Sequence, residues 1–546
     1  MSGTQSKQYT VQDQHNLHAF VSRAIDGAAA NGNVFDSASA ASGALDAVKN
    51  TPGMALPAHL DELMGRVAED QEGKLMQAVF DGVRTYEREH GFRPSGDVLL
   101  SAVAQGLGVY DSVDNGHHDQ ISINPNAPIV AVLGAMAEAC PFAGYLPADK
   151  GSNEARLIIV SHEAGSNFGA YTMGDLMDGI AQGDEYIGSA RSLELTAPND
   201  ATAYKFGFTT QLNGGDPLKL LRGRAIVYVN GLIAAQETQN GPSNAAQVAI
   251  NGHIKIAGVE YSLAGTVKPL TGEVSITPTP AFPAGTSVTC EAFVDYEADA
   301  SVTPEMRVQA VLFSLFASPY RALFRITPEA RSQFANEVGI DASSEAMLTV
   351  RGQFATERHY NALRKAKMLG KFQNHSTFDF GIDEQIQQKV RWQIWLDFAS
   401  VLGAASQKMA EDTADHGITH LYVTREVLAQ FRSMPRELFE PSGIVDRPGI
   451  YRAGRLFGLY EVYYTPKGLN QAPDGSTAEI LCVGRSTQTA RCPIIFGDAS
   501  APVFDPLGVQ TDLKSGYGFH ARVFTAQNPH EMSAKGAALI SVINLK

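Results

Sequence analysis

The sequence predicts an α+β protein with several domains, and three patterns carry this prediction. Apolar residues recur every three or four positions over residues 60–83, which is typical of a helix with one buried stripe. Apolar and polar residues alternate over 288–296, which indicates a strand with two unlike faces. A long helix is expected after Asp341, a plausible N-cap, and residues 385–500 then alternate between helix and strand.

Length and composition restrict the class of protein. The 546 residues are 44% apolar and 18% charged, which argues against a disordered chain, and no run of 18 apolar residues predicts a membrane span. The formal charge of -15 is opposite to that of a protein that holds nucleic acid by bulk charge. Four cysteines without a CxxC pair, and no signal peptide, favour a reducing cytoplasm.

The N-terminal part is expected to be a separate acidic arm. Residues 1–150 contain nine Lys/Arg and eighteen Asp/Glu. The pattern predicts one helix from about Leu60 to Tyr86, ended by the segment that begins at Gly91. Ala/Ser/Gly-rich flanks suit extended connections. The apolar stripe of this helix must therefore pack on the rest of the subunit, on another copy or on a scaffold.

The middle of the chain changes to β-forming sequence. A strand is predicted at 157–160, and residues 195–302 are expected to form an independently packed β-rich insertion. Within it, Asn230-Gly231 is a strong hairpin signal. After it, the long helix runs from about Ser343 to Leu369, with Gly370 at its end.

The C-terminal part is expected to be an α/β domain followed by strands. Helices are predicted at 386–402, which contains both tryptophans, and at 425–432. Strands are predicted near 421–423, 459–464 and 480–483. The tail is also strand-like, so the C-terminus is expected to be tied into a sheet.

The common catalytic fingerprints are absent from the sequence. His162-Glu163 is half of a zinc-protease motif, but Ser166 stands where the second histidine would be needed, so a polar turn is favoured. His117-His118-Asp119 fits a solvated turn better than a metal site. Cys482 and Cys492 fall in neighbouring predicted strands and are expected to be buried free thiols.

The long helix carries cations at a repeated spacing in an otherwise acidic chain. Arg351, Arg358 and Lys365 are seven positions apart, which places them on one helix face. A solvated face fits this pattern, and so does a surface that contacts nucleic acid or the acidic arm of a neighbouring subunit. We expect these residues to be exposed, so that replacing Arg358 and Lys365 by glutamate leaves the monomer folded. The helix cations, a candidate inner-surface or intersubunit basic ridge, are Arg351, Arg358, Arg364, Lys365, Lys367 and Lys371.

Several segments resemble the major capsid proteins of tailed phages, which have the Hong Kong 97-like fold. Residues 322–331, followed by 338–342 and the long helix, are similar to the lead-in and spine helix of the larger myovirus-type subunits. Residues 491–502 and 516–522 resemble the end of the axial domain and the last strands of the peripheral domain. The resemblance covers roughly residues 130–546.

The resemblance implies a layout and a function. The implied domains are an acidic N-terminal arm (1–130), first peripheral-domain strands and the start of an extended loop (131–194), a β-rich insertion (195–302), a peripheral domain with the spine helix (303–384), an axial domain (385–500) and C-terminal return strands of the peripheral domain (501–546). The implied function is structural and not enzymatic. Subunits would self-assemble into hexamers and pentamers of an icosahedral shell around double-stranded DNA.

The resemblance also implies partners and a location. A scaffold and a maturation protease would act during assembly in the host bacterial cytoplasm, and portal and decoration proteins would join the virion capsid. Contact with packaged DNA would be non-specific, and neither a cofactor, a metal nor a membrane is expected. In the larger myoviruses the protease cuts after a Glu preceded two residues earlier by Leu or Ile. Leu60-Asp61-Glu62 has that spacing, but we expect the arm to be retained.

Two other classes of function fit the sequence. A tail-sheath or vertex protein would share the assembly behaviour but form tubes or rings. A multidomain carbohydrate-binding protein or hydrolase would use the β-rich insertion to recognise a ligand. Microscopy of the purified protein separates these classes, because closed particles are expected only of a shell subunit.

Overall fold

A computed structural model describes residues 11–30, 56–67, 69–113, 127–148, 151–212, 214–238, 246–334, 336, 342–381, 388–508 and 513–546. The chain divides into two compact units. Unit 1 comprises Met1–Ile159 and Leu312–Lys546, and unit 2 comprises Val160–Val311. The predicted mixture of helices and sheets is confirmed.

The helices follow one another along unit 1. They are α1 (Val11–Ala30), α2 (Ala58–Arg66), α3 (Glu69–His90), α4 (Gly96–Val113), α5 (Ala127–Ala137), α6 (Pro328–Gln333), α7 (Ala342–Gln373), α8 (Arg391–Thr413), α9 (Arg425–Arg432) and α10 (Glu531–Ala534). In the described ranges, no helix combines the length and the apolar character that crossing a membrane requires.

The strands occur in both units. They are β1 (Gly144–Tyr145), β2 (Glu154–Ala164), β3 (Ala190–Leu195), β4 (Tyr204–Gly207), β5 (Thr209–Gln211), β6 (Gly214–Pro217), β7 (Ile226–Val229), β8 (Leu232–Glu237), β9 (Val248–Ile256), β10 (Val259–Lys268), β11 (Glu273–Thr279), β12 (Val288–Phe293), β13 (Met306–Phe316), β14 (Ser318–Ile326), β15 (His375–Asp379), β16 (His420–Val423), β17 (Phe439–Pro441), β18 (Tyr451–Leu456), β19 (Tyr460–Tyr464), β20 (Ala478–Val483), β21 (Ile494–Leu507), β22 (Ser515–Gln527) and β23 (Ala537–Ile543).

Helices α1 to α5 form an N-terminal helical layer with its own apolar core. Leu17 of α1, Leu63 of α2 and Phe80 of α3 are buried in this core together with Val103 of α4 and Val132 of α5. The predicted apolar stripe is thus buried within unit 1 of the chain itself. The predicted single helix over 60–86 is wrong, however, because Val67 has an extended backbone (φ -85°, ψ 145°) and separates α2 from α3. The predicted end at Gly91 is confirmed, since α3 stops at His90 and Gly91 has a φ of 79°.

A seven-stranded mixed sheet forms the C-terminal core of unit 1, with the strand order β15-β23-β20-β16-β19-β18-β17. Trp395 of α8 and Phe431 of α9 pack against it and are almost fully buried. The indole Nε1 of Trp395 donates a hydrogen bond to Gln430 Oε1 at 2.9 Å, which satisfies its only polar atom. The predicted helix over 425–432 is confirmed as α9. The helix predicted over 386–402 instead spans Arg391–Thr413.

A second, four-stranded sheet of unit 1 has the order β1-β21-β22-β14. Helix α7 packs against both sheets of this unit. Its Phe354 lies in a cluster with Phe519 and Val523 of the four-stranded sheet, and its Ala362 lies in a cluster with Leu481 of the seven-stranded sheet. Gly370 does not end α7 as predicted, because the helix continues to Gln373. A Cβ at Gly370 would lie 2.7 Å from the backbone carbon of Ala538, so the glycine permits close packing against β23.

Unit 2 contains an eight-stranded antiparallel sheet with the order β3-β12-β7-β8-β9-β10-β11-β4. Val227, Ile250, Leu263 and Cys290 contribute to its buried core. The predicted hairpin is confirmed, since Asn230-Gly231 joins β7 to β8 and both residues have positive φ angles of 48° and 79°.

Two predicted boundaries and the assignment of the C-terminal strands to one domain differ from the observed elements. The start of the insertion at 195 falls at the end of β3, although Leu195 pairs with Val288 of β12 and β3 thus belongs to the unit 2 sheet. The boundary at 500 falls inside β21. The C-terminal strands divide between two sheets, because β22 pairs with β14 and β21 whereas β23 pairs with β15 and β20. The expectation that the tail is tied into a sheet is confirmed.

Candidate functional site

The central cation of α7 is buried and does not form part of an exposed ridge. Arg358 is 7% exposed, and its Nη2 lies 2.8 Å from Oδ1 of Asp498 on β21. The same nitrogen donates to the carbonyls of Gly497 at 3.3 Å and Phe524 at 3.4 Å. The guanidinium carbon also lies 4.4 Å from the ring centroid of Phe496. Arg358 is therefore an internal link between α7 and the four-stranded sheet.

Asp498 joins this link to the N-terminal helical layer. Its Oδ2 accepts hydrogen bonds from Gln105 Nε2 at 2.8 Å and from Ser101 Oγ at 3.3 Å, both on α4. One buried carboxylate thus connects α4, α7 and β21. We call this group of residues the Asp498 junction: Ser101, Gln105, Arg358 and Asp498.

Three further helix cations are also engaged inside unit 1. Arg351 forms an ion pair with Glu138, whose pKa is raised by burial against the opposing effect of Arg351. Lys367 Nζ lies 2.6 Å from Glu479 Oε2, and both side chains are less than 20% exposed. Lys365 donates to the carbonyl of Thr525, and burial followed by the charge of Arg364 lowers its pKa.

Only two of the six helix cations are exposed. These are Arg364 and Lys371, and the Lys371 Nζ lies 5.7 Å from the ring centroid of Phe372. The predicted exposed ridge is therefore wrong for Arg351, Arg358, Lys365 and Lys367. The seven-residue spacing correctly placed three cations on one helix face, but their carboxylate and carbonyl partners make that face an internal one.

A second buried ion pair holds the start of α4. Asp97, with a side chain 4% exposed, accepts from Arg485 Nη2 at 2.9 and 3.0 Å. Its Oδ2 also accepts from the backbone nitrogen of Tyr145 at 2.9 Å. Arg485 Nη1 donates to the carbonyl of Pro141 at 2.6 Å. Because Asp97 is 388 residues from Arg485, no local pattern could have predicted this contact.

Three histidines with tyrosine neighbours form a further polar cluster in unit 1. His90 Nδ1 lies 3.0 Å from Tyr463 Oη, and His359 Nε2 lies 3.0 Å from Tyr422 Oη. His420 is 4% exposed, with its ring centroid 5.8 Å from that of Tyr463. Burial is the main cause that lowers the pKa of His90 and His420 to about 3 and that of His359 to about 4. At neutral pH these three residues are uncharged.

We expect this cluster to make unit 1 sensitive to acid. In the unfolded chain these histidines take up protons near pH 6.5, whereas in the folded chain they do so only near 3 to 4, so unfolding binds protons between these values. Their contribution to stability is complete above pH 6.5 and is lost as the pH falls, by up to about 1.4 kcal/mol per pH unit for each histidine. Denaturant unfolding between pH 7 and 5 measures this slope.

A histidine variant assigns the slope to the cluster. His90→Gln should reduce the pH dependence of the unfolding free energy between pH 6 and 5 by about one bound proton. The control is the same change at His253, which is exposed on β9 of unit 2 and lies outside the cluster. Equal slopes for the His90→Gln and wild-type chains would contradict the role of His90.

The weaker motifs of the sequence have ordinary structural roles where they are described. His162 Nδ1 lies 2.8 Å from Asp178 Oδ1 and is half exposed, and Ser166 Oγ accepts from the backbone nitrogen of Glu305 at 3.1 Å. Cys482 and Cys492 are buried free thiols, as predicted, and so are Cys140 and Cys290. His117-His118-Asp119 lies outside the described residues. Across the described ranges, no group of three or more His, Cys, Asp or Glu side chains is arranged to hold a metal ion.

Comparison with known proteins gives matches to solved structures alone. No family model and no curated protein matches the sequence. The capsid of jumbo bacteriophage PhiKZ is 9% identical with a TM-score of 0.39, over 73% of this chain and 91% of that one. The capsid of Helicobacter pylori bacteriophage KHP30 is 9% identical with a TM-score of 0.30, over 46% and 79%. The mature capsid of bacteriophage PhiM1 is 9% identical with a TM-score of 0.29, over 56% and 84%.

These matched structures are phage capsid proteins, the class of protein that the sequence segments resemble. Their TM-scores lie below 0.5, so these matches show a similarity and do not assign a function to the chain.

Proposed function

We propose that this chain is the structural subunit of a tailed-phage capsid, with the Hong Kong 97-like fold. In this proposal, copies assemble into hexamers and pentamers of an icosahedral shell that encloses double-stranded DNA, with scaffold, protease, portal and decoration proteins as partners. Assembly takes place in the host bacterial cytoplasm, and the mature location is the virion capsid. The chain acts through its surfaces and not through catalysis.

One observation carries the proposal, namely exposed apolar side chains grouped on a two-stranded ribbon. Strands β2 and β13 form this ribbon, and backbone bonds from Ala317 to the carbonyl of Asn153 and from Gly165 to that of Glu305 give it an antiparallel register. In that register, Ile158 lies opposite Leu312. Both are 53% exposed, and Phe316 on the same face is 66% exposed.

The opposite face of this ribbon is buried, which makes the exposure of Ile158, Leu312 and Phe316 unusual. Leu157, Ile159 and Leu315 alternate with the exposed residues and are buried with Ile495 and Phe524 of the four-stranded sheet. A strand with apolar residues on both faces is normally covered on both. Grouped exposed apolar residues mark interaction sites, so we infer that another subunit covers Ile158, Leu312 and Phe316.

A second apolar pair lies elsewhere on unit 1. Met368 and Phe372 are one helical turn apart at the end of α7 and are 50% and 73% exposed. A subunit that tiles a closed surface touches several neighbours and needs more than one contact surface. Two separate apolar groups on one unit support a shell subunit over a protein with a single partner.

The proposal includes the N-terminal helical layer as a retained part of the subunit. The candidate cleavage segment, Leu60-Asp61-Glu62, lies inside α2, where Leu60 is fully buried. The side chain of Glu62 pairs with Arg66 at 3.1 Å. A protease would have to unfold α2 to reach this bond, which supports retention of the layer.

Assembly is expected to depend on the ribbon. Leu312→Asp should leave the monomer folded, because the side chain is 53% exposed, but should abolish closed particles. A charge at a buried contact typically costs 2 kcal/mol or more, which is about a 30-fold weaker contact, and the loss repeats at every copy. Negative-stain microscopy and sedimentation velocity measure the yield of particles.

A matched variant distinguishes this effect from a general effect of charge. Leu270 is 62% exposed and lies in the turn between β10 and β11 of unit 2, so Leu270→Asp should assemble normally. Wild-type particle yield from the Leu312→Asp chain would overturn the assigned role of the ribbon. Tubes or isolated rings from the wild-type chain would instead support a tail-sheath or vertex protein.

A further inference from the structure

The four-stranded sheet of unit 1 has two unlike faces. Strand alternation places Tyr320 and Ala322 of β14 on the face toward α7, where they pack with Phe354, Phe519 and Ala521. Phe324 and Tyr517 pair with each other and share this face by alternation. The aromatic residues of these two strands over 318–326 and 515–522 thus lie toward α7.

The other face of the same strands carries arginines. Arg321, Leu323 and Arg325 alternate with the packed residues and are exposed. The register places Arg321 opposite His520, and Arg522 two pairs further along, opposite Pro319. We call this surface the outer-sheet patch: Arg321, Arg325, His520 and Arg522. The neighbouring strand β21 adds one carboxylate to this face, Asp505, opposite Gly518.

We propose that the outer-sheet patch binds the phosphate backbone of duplex DNA. Guanidinium groups match the fork geometry of phosphate oxygens and stay charged at any working pH. Arg321 and Arg325 are four residues apart on one strand, about 13 Å, while Arg321 and Arg522 are diagonal neighbours about 7 to 8 Å apart. A rigid strand therefore presents charges over a length that spans several phosphates.

Two observations favour DNA over a second copy of this chain. Protein interfaces depend on buried aromatic anchors, and the aromatic side chains of β14 and β22 in these ranges lie on the opposite face. Gly516 and Gly518 on the patch side lack side chains, which keeps β22 low opposite Arg325 and Leu323. Since the whole chain has a charge of -15, contact with DNA requires such a local cationic surface.

The inference rests on the proposed function for the source of the DNA, which is the packaged genome. It also moves the expected DNA contact away from α7. Four of the six helix cations are engaged inside unit 1, whereas Arg321 and Arg325 are exposed on the other face of the sheet that α7 covers.

The salt dependence of DNA binding tests the patch. The probe is a fluorescent 20-bp duplex of mixed sequence, titrated with the unassembled full-length chain at several salt concentrations. Each phosphate contact contributes about -0.9 to the slope of log K against log salt concentration. Arg321→Gln with Arg325→Gln should therefore reduce the magnitude of this slope by about 1.8, and Arg321→Lys with Arg325→Lys should preserve the wild-type slope.

The exposed cations of α7 provide the matched control. Arg364→Gln with Lys371→Gln removes the same charge from exposed positions, and it should leave the slope unchanged if the patch is the DNA surface. An equal change in both double variants would show attraction by overall charge and overturn the patch. An unchanged slope in the Arg321/Arg325 glutamine variant would overturn it directly.

Self-association of the same proteins tests whether a second copy of this chain, and not DNA, covers the outer-sheet patch. Sedimentation velocity without DNA should be identical for the wild-type chain and the Arg321/Arg325 glutamine variant, and weaker self-association of the variant would assign the patch to a second copy instead. The shell proposal fails separately, if the wild-type chain forms no particles. If particles form but the salt dependence of DNA binding does not change with Arg321 and Arg325, the patch proposal is wrong while the shell proposal stands.

Discussion

An Arg358→Glu variant is expected to lose about 3 to 5 kcal/mol of folding free energy or to fail to fold. The side chains of Arg358 and Asp498 are 9% and 7% exposed, so water screens the introduced charge poorly. The new carboxylate would face Asp498 without a cation between them, and the donor to the carbonyls of Gly497 and Phe524 would disappear. Denaturant unfolding of the purified variant measures the loss.

Arg364→Glu is the control for charge reversal on the same helix. Arg364 is exposed and lies six positions further along α7, so its reversal should change the free energy of unfolding by less than about 0.5 kcal/mol. If Arg358→Glu and Arg364→Glu proved equally stable, the Asp498 junction would not contribute to the fold. The expectation that reversal at Arg358 and Lys365 leaves the monomer folded is withdrawn for the same structural reason.

The four-residue spacing of apolar residues along α7 indicated that Arg358 lies on the buried face of the helix. Phe354, Ala362 and Ala366 are buried, and together with Arg358 they form a stripe with one residue at every fourth position. The spacing thus indicated burial, since residues four apart share a helix face. The number of cations in an acidic chain instead suggested an exposed surface, and the compensating carboxylate of Asp498 is 140 residues away.

Elements that depend on residues close together in the sequence were predicted closely. The helix over 425–432 and the Asn230-Gly231 hairpin depend on propensities and turn geometry within a few residues. The division of the tail between two sheets depends on pairing partners that are distant in sequence. For example, β23 pairs in parallel with β15, about 160 residues earlier, which no alternation of apolar residues specifies.

The N-terminal helical layer shows the same limit. Its composition and charge favoured a separate arm with extended connections, whereas the structure provides it with its own apolar core and with two buried polar links through α4. The apolar stripe of α2 and α3 was predictable from spacing alone. The attachment was not, because it depends on Asp97 and Gln105 meeting Arg485 and Asp498 from the other end of the chain.

The second large effect is therefore expected at Asp97. Asp97→Asn keeps the volume of the side chain but removes the charge that compensates the buried guanidinium of Arg485, whose side chain is 13% exposed. Removing one partner of a buried pair costs about 3 to 5 kcal/mol. Since Asp97 lies in the first turn of α4, where a negative charge also favours the helix dipole, the start of α4 should open first.

Hydrogen exchange and limited proteolysis locate this opening. The amides of α4 and α3 should exchange faster in the Asp97→Asn chain, while those of α8 and the seven-stranded sheet should keep wild-type protection. Asp26→Asn is the matched control, because Asp26 pairs with Arg93 at 2.6 Å but is 64% exposed, and such surface pairs contribute little to stability. If Asp97→Asn kept wild-type protection throughout α4, the N-terminal helical layer would be held by its apolar contacts alone, and the Asp97 and Arg485 pair would have no part in attaching it.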